Sequence, residues 1–158
     1  MHFFTLNLRR ALTLAGTMLA VVLGVATSAQ AAVPGVATLR DLATGLTLDS
    51  NTSGDVYALP ANGGSFQKWV VARSDFGTVT LRDLATSRCL DSNTRGDVYT
   101  LGCSGGSFQK WIVINRDFGT IVLRNLATGR VLDSNAWGKV YTLGENGGSY
   151  QKWIAASA

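Results

Sequence analysis

Histidine is nearly absent from this 158-residue chain. Its single copy, His2, and both methionines, Met1 and Met18, lie in the first 31 residues, so the remainder has no imidazole to act as general base or zinc ligand. Two cysteines, Cys89 and Cys103, cannot close a four-ligand zinc site without histidine, and no metal or cofactor is expected. Charge is scarce as well. Asp, Glu, Lys and Arg make up 15% of the chain, and with Arg9 and Arg10 set aside 12 basic residues face 10 acidic ones, a net charge of +2. These charges are spread along the chain with no Lys/Arg run, which argues against a nucleic-acid or lipid surface.

Residues 1–31 read as a secretory signal peptide. Arg9 and Arg10 precede the apolar stretch ALTLAGTMLAVVLGVA, and Ala29 and Ala31 form a small-x-small cleavage signal. The alternative, a membrane anchor, is disfavoured because the apolar run is only about 16 residues where a spanning helix takes about 20. The paired arginines hint at twin-arginine export. The expected product is a secreted, extracellular domain of residues 32–158, large enough for its own core.

That domain is written three times. GGSFQKW ends at Trp69 and again at Trp111, and GGSYQKW ends at Trp153, each 42 residues after the last. At that offset TLRDLATGLTLDSNTSGDVY, TLRDLATSRCLDSNTRGDVY and VLRNLATGRVLDSNAWGKVY align, giving repeats 36–77, 78–119 and 120–158. Within each repeat, short runs rich in Val, Thr, Tyr, Phe and Trp alternate with turn chemistry about every ten residues. No 3.6-residue apolar period interrupts them. The expected fold is all-β, with four strands per repeat and twelve in total. A propeller uses blades of this length but closes with four to eight of them; three units fit a β-trefoil, a barrel with three hairpin caps.

Read as a strand, QKW sends Gln67 and Trp69 inward and Lys68 outward. Gln67, Trp69, Gln109, Trp111, Gln151 and Trp153 are therefore expected in the core, each buried glutamine pinning a neighbouring loop through backbone groups. The competing use of the tryptophans, stacking on a ligand, is the rarer fate of a strand aromatic.

The LDSN stretch stays open on residue chemistry alone. Aspartate and an amide or phenol suit adjacent sugar hydroxyls, yet Asp, Ser and Asn also cap tight turns. Three Gln-x-Trp motifs at equal spacing, each with LDSN and VY upstream, resemble the ricin B-chain type of β-trefoil lectin over essentially all of residues 32–158. The resemblance is strongest to a bacterial member that binds high-mannose glycans through three equivalent pockets. It implies sugar contacts at Asp49, Tyr57, Leu59 and Asn62, at Asp91, Tyr99, Leu101 and Ser104, and at Asp133, Tyr141, Leu143 and Asn146. Ser104 departs from the asparagine of the pattern, which puts the second pocket in question. The three leucines stand where many galactose binders carry a stacking aromatic, which favours mannose. Trp137 has no counterpart in the other repeats; it either extends the third pocket or packs on its own loop. Secretion and an even count favour a Cys89–Cys103 disulfide, and cysteines flank this hairpin in many ricin-type modules.

DSNTSGD resembles the start of a calcium loop, but position twelve would be Pro60, Gly102 or Gly144 instead of glutamate, and Lys139 replaces an acid in the third copy. A two-carboxylate glycosidase needs one asymmetric set of unlike roles, whereas this polar cluster recurs three times, as a multivalent binder requires. A protease inhibitor on a trefoil scaffold would need one protruding loop, and only the Trp137 region qualifies. The expectation is a non-enzymatic monomer whose partners are oligosaccharides or glycoproteins, with no nucleic acid and no membrane insertion.

Overall fold

Why three copies are needed is visible in the strand pairing. The structure, a computed structural model, describes Val33 and residues 35–158; the expected signal peptide lies outside the described residues. The first repeat contributes β1 (Val36–Asp41), β2 (Thr47–Ser50), β3 (Val56–Leu59) and β4 (Trp69–Arg73). The second contributes β5 (Val79–Asp83), β6 (Cys89–Ser92), β7 (Val98–Leu101) and β8 (Trp111–Asn115). The third contributes β9 (Ile121–Asn125), β10 (Val131–Ser134), β11 (Val140–Leu143) and β12 (Trp153–Ser157).

The first and last strands of each repeat pair in a closed antiparallel ring, β1 with β4, β4 with β5, β5 with β8, β8 with β9, β9 with β12, and β12 with β1. No repeat closes this ring alone. Each middle pair folds into a hairpin, β2 on β3, β6 on β7 and β10 on β11. The architecture is a β-trefoil, with every barrel edge paired.

Its core has the same period as the sequence. Leu39, Leu81 and Leu123, then Leu48, Leu90 and Leu132, then Trp69, Trp111 and Trp153 are all fully buried. Each tryptophan removes about 150–250 Å² from water, worth roughly 4–6 kcal/mol as an upper figure. Its indole N–H is not sacrificed, because Nε1 donates to the carbonyl of Leu48, Leu90 or Leu132 at 3.1–3.2 Å.

One local expectation is corrected. Gln67 does not begin a strand; Ser65–Gln67, Ser107–Gln109 and Ser149–Gln151 are 3₁₀ turns, and the strand starts at the tryptophan. The chain tightens after the glycines, with Gln67 N–H donating to Gly64 O at 3.2 Å and Lys68 N–H to Ser65 O at 3.3 Å. The glutamine and tryptophan still point inward because the turn ends between them, and Lys68, Lys110 and Lys152 remain partly exposed.

The hairpin caps interlock around the axis. Gly138 O accepts from Ala58 N–H, Gly54 O from Thr100 N–H and Gly96 O from Thr142 N–H, each at 2.8 Å. This contact explains the glycine after LDSNxx. Gly138 has φ +77°, and a Cβ there would lie 2.2 Å from Ala58 O, so both conformation and space demand glycine.

Candidate functional site

Each residue of LDSN does a different job. In the first repeat Leu48 is core, and Asn51 takes the turn, its Oδ1 accepting from the N–H groups of Gly54 at 2.9 Å and Asp55 at 3.0 Å. Ser50 Oγ donates to Asp83 Oδ2 of the second repeat at 3.0 Å. Asp49 takes no part in the turn. It sits on β2 directly across from Tyr57 on β3, as Asp91 faces Tyr99 and Asp133 faces Tyr141. Residues so paired share one face of the hairpin. Asn51 Nδ2 also donates to Asp55 Oδ2 at 2.9 Å, so the third and seventh positions of the stretch that resembled a calcium loop are joined in holding a turn, while its first, Asp49, is bonded to Gln67 instead.

Beneath each aspartate lies the glutamine of the repeated motif. Gln67 Nε2 donates to Asp49 Oδ2 at 2.8 Å and to Pro60 O at 3.1 Å, while Gln67 Oε1 accepts from Asn62 N–H at 2.9 Å. The second repeat copies this with Gln109, Asp91, Gly102 and Ser104, and the third with Gln151, Asp133, Gly144 and Asn146. One buried amide therefore fixes the carboxylate and the loop beside it relative to each other.

The aspartates are nearly but not fully sealed, with 4%, 6% and 3% exposure for Asp49, Asp91 and Asp133. Burial raises the carboxyl pKa of all three above the usual aspartate value, against the opposing pull of the glutamine hydrogen bond. Burial, followed by the neighbouring aspartate charge, likewise raises Tyr57, Tyr99 and Tyr141, so the phenols stay neutral. Tyr57 and Tyr141 donate their hydroxyl protons to Ser50 O at 3.2 Å and Ser134 O at 3.0 Å.

Asn62 and Asn146 turn Oδ1 onto the N–H of Gly64 and Gly148 at 2.7 Å. Their amide N–H groups have no partner among the described residues. Ser104 differs in kind: its hydroxyl accepts from Gly106 N–H at 3.2 Å and donates its only proton to Gln109 Oε1 at 3.3 Å. The first and third clusters thus combine a carboxylate acceptor with an outward amide donor, which matches two neighbouring hydroxyls, while the second has spent that donor internally. Leu59, Leu101 and Leu143 complete the rim, 43–46% exposed.

The loops carrying Asn62, Ser104 and Asn146 are held differently. Cys89 and Cys103 form a disulfide in the second repeat. At the position of Cys103 the third repeat has Glu145, which pairs with both Arg116 and Arg124; the first has Ala61 and neither device. Sequence reasoning overlooked the aromatic before each glutamine. Phe66, Phe108 and Tyr150 lie in the 3₁₀ turns packed against β2, β6 and β10, and Phe108 and Tyr150 are 39% exposed. The signal was available, since Phe-to-Tyr is the single change within GGSFQKW across the three copies. Trp137 is 84% exposed, which rules out packing on its own loop.

The family described as the ricin-type beta-trefoil lectin domain matches residues 35–153. The chain belongs to it. Ricin-type domains of this family are carbohydrate-binding modules, generally non-catalytic. Among solved structures, the ricin-type chain resembles the designed three-fold symmetric protein ThreeFoil, at 23% identity and TM-score 0.74, covering 79% of this chain and all of that one. It also resembles SeviL bound to the asialo-GM1 saccharide, at 21% identity and TM-score 0.69, covering 78% and 98%. An exo-beta-1,3-galactanase from Clostridium thermocellum matches at 19% identity and TM-score 0.73, over 78% of this chain but only 30% of the enzyme. At these identities the likeness is one of fold.

Proposed function

We propose that this ricin-type domain is a secreted, multivalent, non-enzymatic lectin that binds mannose-containing glycans through three related pockets. The observation that carries the reading is the Gln67–Asp49 arrangement, repeated at Gln109–Asp91 and Gln151–Asp133. A nearly buried carboxylate, oriented by a buried amide and set across from a tyrosine, is an acceptor held ready for neutral hydroxyls. Three copies of one binding cluster favour avidity over catalysis. Mannose is preferred to galactose because Leu59, Leu101 and Leu143 occupy the rim without a stacking aromatic, and because the repeat pattern closely resembles that of actinohivin, a bacterial lectin of high-mannose glycans.

The test is a glycan array on residues 32–158, with and without EDTA. Binding to oligomannose structures, unchanged by EDTA, is the expected result. Selective binding of galactosides would overturn the mannose assignment, EDTA sensitivity would restore a calcium-dependent lectin, and no binding to any glycan would overturn the lectin reading.

A further inference from the structure

Each hairpin tip reaches into the next repeat around the axis. Isolated antiparallel bridges join Tyr57 to Lys139, Asp55 to Tyr99 and Asp97 to Tyr141. Between Tyr57 and Lys139 the register is reinforced by the Ala58 N–H to Gly138 O bond. One residue beyond Gly138 the chain is in the turn of the third hairpin at Trp137, and one residue beyond Ala58 it reaches Leu59, so the tip of the third hairpin lies at the Leu59 end of β3. The same count from the other bridges puts the turn carrying Ser53 at the Leu101 end of β7 and the turn carrying Arg95 at the Leu143 end of β11. In that last case Arg95, Gly96 and Asp97 of the second hairpin line one cleft with Tyr141 and Leu143 of the third, a cleft that Asp55 and Val56 of the first hairpin also enter.

We propose that Trp137 belongs to the first pocket, not the third, where it forms an aromatic platform for a second sugar ring beyond the one held at Asp49. The three pockets are then distinguished by the tip of the neighbouring hairpin: Trp137 beside pocket one, Ser53 beside pocket two and Arg95 beside pocket three. This inference rests on the reading of the chain as a lectin.

The indole is exposed on a backbone that is held in place. Asn135 Oδ1 accepts from Trp137 N–H at 3.0 Å and from Lys139 N–H at 3.1 Å, so the backbone beneath it is tied down, while the other three tryptophans are wholly buried. The C–H face of a pyranose ring is apolar and flat enough to lie on an indole, and an indole has only two side-chain torsions to restrict when it does so. Arg95 supplies no equivalent surface, because its Nε is paired with Asp97 Oδ2 at 3.0 Å, and Ser53 is too short. The ligand class at pocket one is therefore an oligosaccharide of at least two rings.

The test uses chains with one working pocket each. Asp91→Asn with Asp133→Asn leaves pocket one, and Asp49→Asn with Asp91→Asn leaves pocket three. Each is titrated with a mannose monosaccharide and disaccharide, or with the galactose pair if the array selects it. Trp137→Ala is expected to reduce the disaccharide-to-monosaccharide affinity ratio of the pocket-one chain about 2- to 10-fold, and to leave the pocket-three chain unaltered. Since Trp137 is the one exposed indole among the described residues, the disaccharide should also shield pocket-one fluorescence from acrylamide. Ser53→Trp, added to the chain retaining only Asp91, should confer the disaccharide preference on pocket two. A loss confined to the pocket-three chain, or an unchanged ratio in the pocket-one chain, overturns the assignment while leaving the lectin reading intact. Absence of binding by every chain, wild type included, overturns both.

Discussion

Gln67 and Asp49, 18 residues apart in sequence, are joined by a 2.8 Å hydrogen bond that ties the core of the repeat to its polar cluster. Trp69, two residues further on, binds the carbonyl of Leu48, the residue just before that aspartate. Gln-x-Trp therefore grips two consecutive residues of β2. The motif is architecture, and what it builds is the position of a carboxylate.

The choice of substitution at Asp49, Asp91 and Asp133 follows from this. Alanine removes one of the two acceptors of a buried amide N–H₂, leaving a donor unsatisfied at about 1–3 kcal/mol per site. Asparagine keeps an acceptor for the glutamine and turns the outward oxygen into a donor. Chemical denaturation should show the triple Asp→Ala chain markedly destabilised and the triple Asp→Asn chain close to wild type, with neither binding glycan. Full glycan binding by the folded Asn chain would falsify the role assigned to the carboxylates.

Acid should act on binding and on stability in opposite directions. Folding raises the pKa of these aspartates, so the folded state takes up their protons more readily than the unfolded one. Their contribution to stability grows as pH falls through the raised values, and their ionisation opposes folding at neutral pH. The carboxylate acceptor disappears over the same window. Glycan affinity measured against pH should fall with a midpoint above the ordinary aspartate value of 3.8, in a range where far-UV circular dichroism still reports a folded chain. A midpoint at or below 3.8 contradicts this.

Pocket two should be the weakest. Ser104 has one proton and directs it at Gln109, so a sugar oxygen loses the donor that Asn62 and Asn146 provide. One hydrogen bond of about 0.5–1.5 kcal/mol corresponds to roughly 2- to 13-fold in affinity. In the chain retaining only Asp91, Ser104→Asn should recover that factor by titration calorimetry; no gain would show that the asparagine makes no contact.

The disulfide should stabilise without defining the fold. Replacing Cys89 by Thr and Cys103 by Ala copies the first repeat, which folds the same hairpin with Thr47 and Ala61. Opening a loop of this length costs about 3 kcal/mol in the chain-entropy model. Circular dichroism should show an unchanged spectrum and a lowered midpoint. Glu145→Ala, which releases only partly exposed ion pairs, should cost less than about 1 kcal/mol, and less still in high salt.

Gly138→Ala should be far more damaging than a surface change. Its positive φ alone costs of order 1–3 kcal/mol for alanine, and the new methyl meets Ala58 O, a backbone atom with no rotamer to escape through. Thermal melting should reveal a large loss, while Gly144→Ala, with nothing near its Cβ position, should be tolerated.

The amino-acid sequence alone determined the number of units, their all-β character and the burial of Trp69, Trp111 and Trp153, because repetition and period-two patterning are local properties of the chain. It also brought Asp49, Tyr57 and Asn62 forward together, since one short hairpin and its following loop carry all three. It left LDSN divided between turn and site, and placed Gln67 in a strand that begins two residues later. Tertiary structure decided those points: Asn51 takes the turn, and Gln67 leaves the strand to reach Asp49 and Pro60 at once. Tertiary structure alone also set Gly138 and Lys139, the residues that follow Trp137, against the first repeat. That neighbour is imposed by closure of the threefold cap, in which Gly138 meets Ala58 from the far end of the domain; the glycine this contact requires is legible in every repeat, but which hairpin it meets is not, because the partner lies 80 residues away.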